Sequence, residues 1–212
     1  MLIYIIVFIV LFIPSHLHPT KIINKKNMPK KGNKCIVASN HFSMWDPVFY
    51  DIFFARRFKA VAKKELFKNK LFGFILKCLG AIPIDREKMT PSSLKEILGA
   101  LDKKEQIVIY PEGTRNKTEE DDLQGAKTGL VIFASKGECP IVPVVIYKKP
   151  KLFRKNYMIV GEPFYVEGEN PKRLTKEEIN KNVERYVAIM ADLRNQIDEY
   201  VASKHKNKKN KK

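Results

Sequence analysis

Metal-site signatures are missing from this 212-residue chain. It has only four histidines, His16, His18, His41 and His205, with no HExxH or CxxC spacing, so no bound metal is expected. Three cysteines, Cys35, Cys78 and Cys139, lie far apart and are odd in number. They exclude a complete disulfide framework and fit reduced thiols in a cytosolic setting. Internal repeats and long flexible linkers are lacking too, and 10 glycines with 12 prolines are too few for a low-complexity chain. The length is most simply one domain, large enough for a core and a cleft beside it.

Acidic residues are also scarce, 23 against 40 Lys and Arg, leaving a formal charge of +17. Such a chain is drawn to nucleic acid, an anionic membrane or phosphorylated substrates, and charge alone does not choose among them. No nucleic-acid-binding motif is present, so a basic nucleic-acid-binding protein stands only as the lesser alternative and no nucleic-acid partner is expected. Part of the excess sits in residues 204–212, read as a basic disordered tail. Met1 to Ile13 is apolar throughout and closed by Pro14. As a helix it reaches about 20 Å, short of the ~30 Å hydrocarbon core. It has neither the basic start nor the small-residue cleavage site of a secretory signal. Residues 1–20 are therefore expected to form an apolar anchor helix that dips into a membrane, with Lys21, Lys25, Lys26, Lys30 and Lys31 at the headgroups.

The remainder, residues 21–203, alternates short apolar runs with helical patterns. Strands are expected at 35–39, 59–62, 81–84, 106–110, 141–147 and 157–160, mostly continuous apolar runs suited to burial on both faces. Helices are expected at 47–55, 66–79, 91–101 and 126–136, and in a long last helix opened by the capping box Thr175 and Glu178; Ser93 and Glu96 form a second such pair. This alternation predicts an α/β fold, a mostly parallel sheet flanked by helices, with functional residues on the loops leaving the strand ends.

Two polar clusters occupy such positions. In "NHFSMWDP", His41 follows the first of these strands and Asp46 comes five residues later, before a helix that Pro47 can open. A buried histidine satisfied by a carboxylate is the structural alternative; the catalytic reading is a general base whose other ring nitrogen Asp46 orients. Ser43 lacks a nucleophile-elbow context, so covalent chemistry there is not favoured. In "YPEGTRN", Arg115 is a forked cation suited to phosphate, Gly113 permits close backbone approach, and Glu112 either orients Arg115 or accepts from a substrate hydroxyl. An exposed turn with an ion pair is the simpler alternative. Lys63 and Arg86 each follow a strand, so three basic groups are expected to converge beside the His/Asp pair.

The segment from about Lys34 to about Pro163 resembles the 1-acyl-glycerol-3-phosphate acyltransferase (PlsC-like) family of glycerolipid acyltransferases. Its four blocks appear in order: NHFSMWD, AKKEL followed by GAIPIDR, YPEGTR, and IVPVVI around Pro143. Lys70 stands where that family often has proline. The resemblance implies transfer of a fatty acyl group from acyl-CoA or acyl-carrier protein to lysophosphatidic acid, giving phosphatidic acid. It assigns the base to His41 with Asp46 as partner. Glu112, Gly113, Thr114 and Arg115 would hold the glycerol-phosphate portion, helped by Lys63 and Arg86. It implies no metal or redox cofactor, and work at the cytoplasmic face of the cell membrane. Another acceptor, glycerol 3-phosphate or a different lysophospholipid, fits the same motifs.

Overall fold

The structure, a computed structural model, describes residues 19–85, 90–112, 128–151 and 153–209. Seven strands form one sheet: β1 (Thr20–Ile23), β2 (Cys35–Ser39), β3 (Lys59–Lys63), β4 (Ile82–Ile84), β5 (Gln106–Ile109), β6 (Ile141–Ile146) and β7 (Asn156–Val160). Their order is β1-β7-β6-β2-β5-β3-β4, and every neighbouring pair is parallel except β6 with β7. The expected mostly parallel sheet is present. The antiparallel pair follows from the short connection between β6 and β7, which leaves no room for a crossover helix. β1 has no counterpart among the expected strands, because four residues, TKII, at a sheet edge carry too little pattern to read.

Alternate side chains of the central strands feed two cores, as strands buried on both faces must. Ile36, Ile107, Ile141 and Val145 point to one face, where α3 (Pro91–Asp102), α4 (Thr128–Lys136) and α5 (Lys176–Lys209) cover them with Ile97, Leu101, Val131 and Ile197. Cys35, Val37, Val108 and Val142 point to the other, against Phe42, Phe58 and Tyr50 of α1 (Asp46–Phe53). Cys35 and Cys139 are core residues without exposed surface, and burial pushes each thiol up to about 12. α2 (Lys70–Cys78) lies next to the 3-10 turn Lys64–Phe67.

Several local expectations change. The helix expected over 66–79 divides: the Asn69 side chain accepts from Phe72 N–H at 2.9 Å and starts α2 afresh. Lys70 then occupies the first helical position, where proline is also tolerated. α2 ends in a paired-bond cap, Gly80 N–H to Lys77 and Ala81 N–H to Leu76, with Gly80 at φ 74°. A Cβ on Gly73 would stand 2.5 Å from the Phe67 carbonyl, so only glycine lets α2 sit this close to the preceding turn. The Ser93 and Glu96 pair does not cap α3; Thr90 does, its hydroxyl accepting from Ser93 N–H at 3.3 Å. At α5 the expected box forms, with Thr175 N–H to Glu178 at 2.7 Å and Glu178 N–H to Thr175 at 3.2 Å. α5 continues to Lys209, through most of the stretch expected as a disordered tail. Among the described residues no helix is long and apolar enough to cross a membrane. Of the expected anchor, residues 1–18 lie outside the described residues.

Candidate active site

β2 and β5 are neighbours in the middle of the sheet, with Ala38 opposite Ile109, so the segments that leave them emerge side by side. Asn40 and His41 leave β2; Tyr110, Pro111 and Glu112 leave β5. Asn40 fixes the position of this exit. Its amide donates to the Ile146 carbonyl at 2.9 Å and accepts from Ile146 N–H at 2.8 Å, continuing the β2–β6 ladder with a buried side chain. Nothing in the residue types alone singled out this role for Asn40.

The turn between His41 and Asp46 folds around one carboxylate oxygen. Asp46 Oδ2 accepts from Phe42 N–H and Ser43 N–H, both at 2.8 Å, and lies 3.0 Å from His41 Nδ1. Asp46 is fully buried and is the first residue of α1, with Trp45 at the N-cap. A carboxylate accepting at Nδ1 puts the ring hydrogen there and leaves Nε2 with a free lone pair. His41 itself is 12% exposed, and its ring stacks on Tyr110 at 3.9 Å between centroids. Ring position and tautomer are therefore both constrained. Tyr110 was not among the expected site residues, although it begins the YPEGTR block. The Ser43 hydroxyl accepts from Trp45 N–H at 3.2 Å, which gives it a place in the turn.

Glu112 is 8% exposed, and one of its carboxylate oxygens, Oε2, has no hydrogen-bond partner among the described residues. Burial is the main reason its carboxyl is pushed up to about 7; the Asp46 charge adds to the rise and the His41 backbone N–H opposes it. A buried carboxyl beside His41 is thus poised between its two protonation states near neutrality. Lys63 ends β3 at the same end of the sheet, with its ammonium 4.0 Å from Glu65. Lys64 pairs with Asp85. Gly113, Thr114, Arg115 and Arg86 lie outside the described residues.

From His41 and Tyr110 an apolar cleft of about 110 Å³ runs between α1, β3 and α2. Met44, Pro47 and Val48 form one wall, Ala60 and Ala62 the floor, and Leu66, Phe72, Leu76 and Leu79 the other wall. The arrangement offers a base nitrogen at the mouth of a greasy groove. It suits proton removal from a hydroxyl presented beside an aliphatic chain.

A family model described as Acyltransferase matches residues 19–147, more than half of the chain. The chain is 33% identical over 186 residues to a 1-acyl-sn-glycerol-3-phosphate acyltransferase of Bacillus subtilis, covering 84% of this chain and 90% of that one. A protein of the same name from Streptococcus pneumoniae is 33% identical over 125 residues, 57% of this chain, and the match spans only 44% of its length. Among solved structures, the 1-acyl-sn-glycerophosphate (LPA) acyltransferase PlsC from Thermotoga maritima superposes with a TM-score of 0.62 at 24% identity, over 89% of this chain and 75% of that one. That likeness shows a shared α/β fold.

Proposed function

The chain belongs to the acyltransferase family, and from that premise we propose that it acylates the free hydroxyl of lysophosphatidic acid to give phosphatidic acid. The observation that carries the mechanism is the 3.0 Å contact of His41 Nδ1 with buried Asp46 at the mouth of the apolar cleft.

His41 Nε2 takes the proton of the acceptor hydroxyl while Asp46 stabilises the imidazolium. The hydroxyl oxygen attacks the thioester carbonyl, a new C–O bond forms, and the C–S bond breaks as the tetrahedral adduct collapses. His41 returns the proton to the departing thiolate, so the products are the ester and a free thiol. No acyl-enzyme is needed; both substrates are held together, and positioning supplies much of the acceleration. Acyl-CoA or acyl-carrier protein serves as donor, with no metal or redox cofactor. The apolar cleft receives the reacting end of the acyl chain. Glu112, with Gly113, Thr114 and Arg115, holds the glycerol-phosphate portion, and Lys63 and Arg86 add charge to it. The enzyme works at the cytoplasmic face of the cell membrane, a reading supported by the apolar Met1 to Ile13 stretch and the charge of +17.

The test is release of free thiol together with phosphatidic acid formation by purified protein in mixed micelles, given lysophosphatidic acid and palmitoyl or oleoyl thioesters of both carriers. Wild type should turn over and His41→Ala should fall by a factor on the order of 10² to 10⁴. Near-normal turnover in His41→Ala would defeat the mechanism.

A further inference from the structure

The connection from β6 to β7, residues 147–155, reads YKKPKLFRK: five basic residues, no acid, and Phe153 near its far end. Phe153 is 78% exposed, the most exposed of the large apolar side chains among the described residues. Its backbone sits at φ 58°, an uncommon conformation for an aromatic residue. The root of the loop is firmly held. Buried Asn156 donates to the Lys148 carbonyl at 2.7 Å, and Asn40, next to His41, clasps both backbone groups of Ile146. Lys148, Lys149, Arg154 and Lys155 are all exposed around this root.

Sheet polarity shows where the loop points. β6 is parallel to β2, so residues 147–155 leave the sheet at the end where His41 leaves β2. β1 is parallel to β7, which is antiparallel to β6, so the chain also joins β1 from this end, where the Asn156 N–H donates to the Pro19 carbonyl at 2.8 Å. Met44 and Trp45, 46% and 49% exposed, lie in the turn just after His41. One isolated exposed phenylalanine needs no explanation. Here an exposed aromatic, a cluster of exposed basic side chains and His41 share one end of the sheet.

We infer that the 147–155 loop is a docking element for an anionic phospholipid bilayer: Phe153 enters the interface, Lys148, Lys149 and Arg154 meet the headgroups, and the His41 cleft is set at headgroup level. Charge complementarity selects the partner, and the polarity of the sheet selects the side. The inference deepens the acyl-transfer reading, on which it rests for the reason a bilayer should face His41.

The full-length protein is mixed with vesicles of phosphatidylcholine alone or with added phosphatidylglycerol. In Phe153→Trp, the emission added to that of Trp45 should shift to the blue and be quenched by brominated acyl chains on the mixed vesicles. Unshifted emission from the substituted position, on vesicles that carry the protein down, overturns the proposal. Replacing Lys148, Lys149 and Arg154 together by Gln should loosen partition onto the mixed vesicles roughly fivefold per charge. Thiol release in detergent micelles should stay near wild type. Unchanged partition overturns the proposal; so does a loss confined to an acidic carrier protein, which would assign the loop to a protein partner. A wild type that binds through this loop but turns over no thioester in micelles would sink the acyl-transfer reading while leaving the docking result in place.

Discussion

The two faces of the sheet are lined by equally apolar strands but covered very differently. On the face beneath α3, α4 and α5, Ile97, Leu101, Val131 and Ile197 retain no exposed surface. On the face beneath α1 and α2, Leu71 and Phe74 are 72% and 50% exposed, and the apolar cleft opens between the two helices beside His41. A closed face gathers the burial that holds the fold. An incompletely covered face gives up some of that burial and keeps a groove for a ligand. Substitutions should therefore divide into those that move stability and those that move rate.

Asp46 is the residue at which that division should fail most visibly. Its Oδ2 serves His41 and also the Phe42 and Ser43 amides. His41→Ala should cost a factor on the order of 10² to 10⁴ in turnover with little change in melting temperature. Asp46→Ala should show a comparable rate loss and, in addition, a stability loss of about 1–3 kcal/mol for each amide left without a partner. Micelle assays beside thermal melts check this pair of outcomes. If both variants melt like wild type, the turn does not depend on the carboxylate.

On the closed face, Leu101→Ala should cost about 2–5 kcal/mol, because nothing near it can collapse into the space without disturbing Ile97 or α4. The folded fraction should still turn over at close to the normal rate, as α3 contributes no side chain to the cleft. Urea unfolding combined with a rate normalised to folded protein tests the separation. A fall in normalised rate would show the two faces to be coupled.

Glu112 lies between these cases, a buried group whose charge the fold resists. Its carboxyl, ordinarily near 4.5, is pushed up to about 7. As pH rises between those values the unfolded chain releases a proton that the folded chain keeps, so stability falls; above about 7 the penalty is complete. Glu112→Gln should remove it, stabilising the protein by up to about 3 kcal/mol well above neutrality, less where solvent screens the charge, and by almost nothing at acid pH. Melting temperatures across the pH range give the sign directly. Equal shifts at both extremes would remove ionisation as the cause.

How far all this was legible varies with the kind of signal. Continuous apolar runs such as CIVAS and IVPVVI announced buried parallel strands, and the ordered blocks announced the family. The pairing of His41 with Asp46 was readable because their separation matches one tight turn closed by the carboxylate. Tyr110 and Asn40 were not, since stacking on His41 and clasping Ile146 depend on which strands become neighbours. β1 escaped notice because its place comes from β7, a partner far away in the chain. The break between the 3-10 turn and α2 escaped because Asn69 and Gly73 act through local geometry that apolar periodicity does not register.

The start of α3 supplies the finest test of the two-face distinction. The spacing of Ser93 and Glu96 suggested a capping box, yet the hydroxyl that accepts from the first turn belongs to Thr90, which also lies 2.9 Å from the hydroxyls of Ser92 and Ser93. Thr90→Ala should therefore destabilise by about 1 kcal/mol, a drop of roughly 2–4 °C in melting temperature, whereas Glu96→Ala should be close to neutral. The bond at 3.3 Å is long, which places the effect toward the lower end. Neither change should alter turnover per folded molecule, since α3 lies on the closed face. An equal loss from Glu96→Ala would restore the capping box, and a rate loss from Thr90→Ala would mean that the position of α3 reaches the His41 cleft through β4 and β5, the strands it packs against.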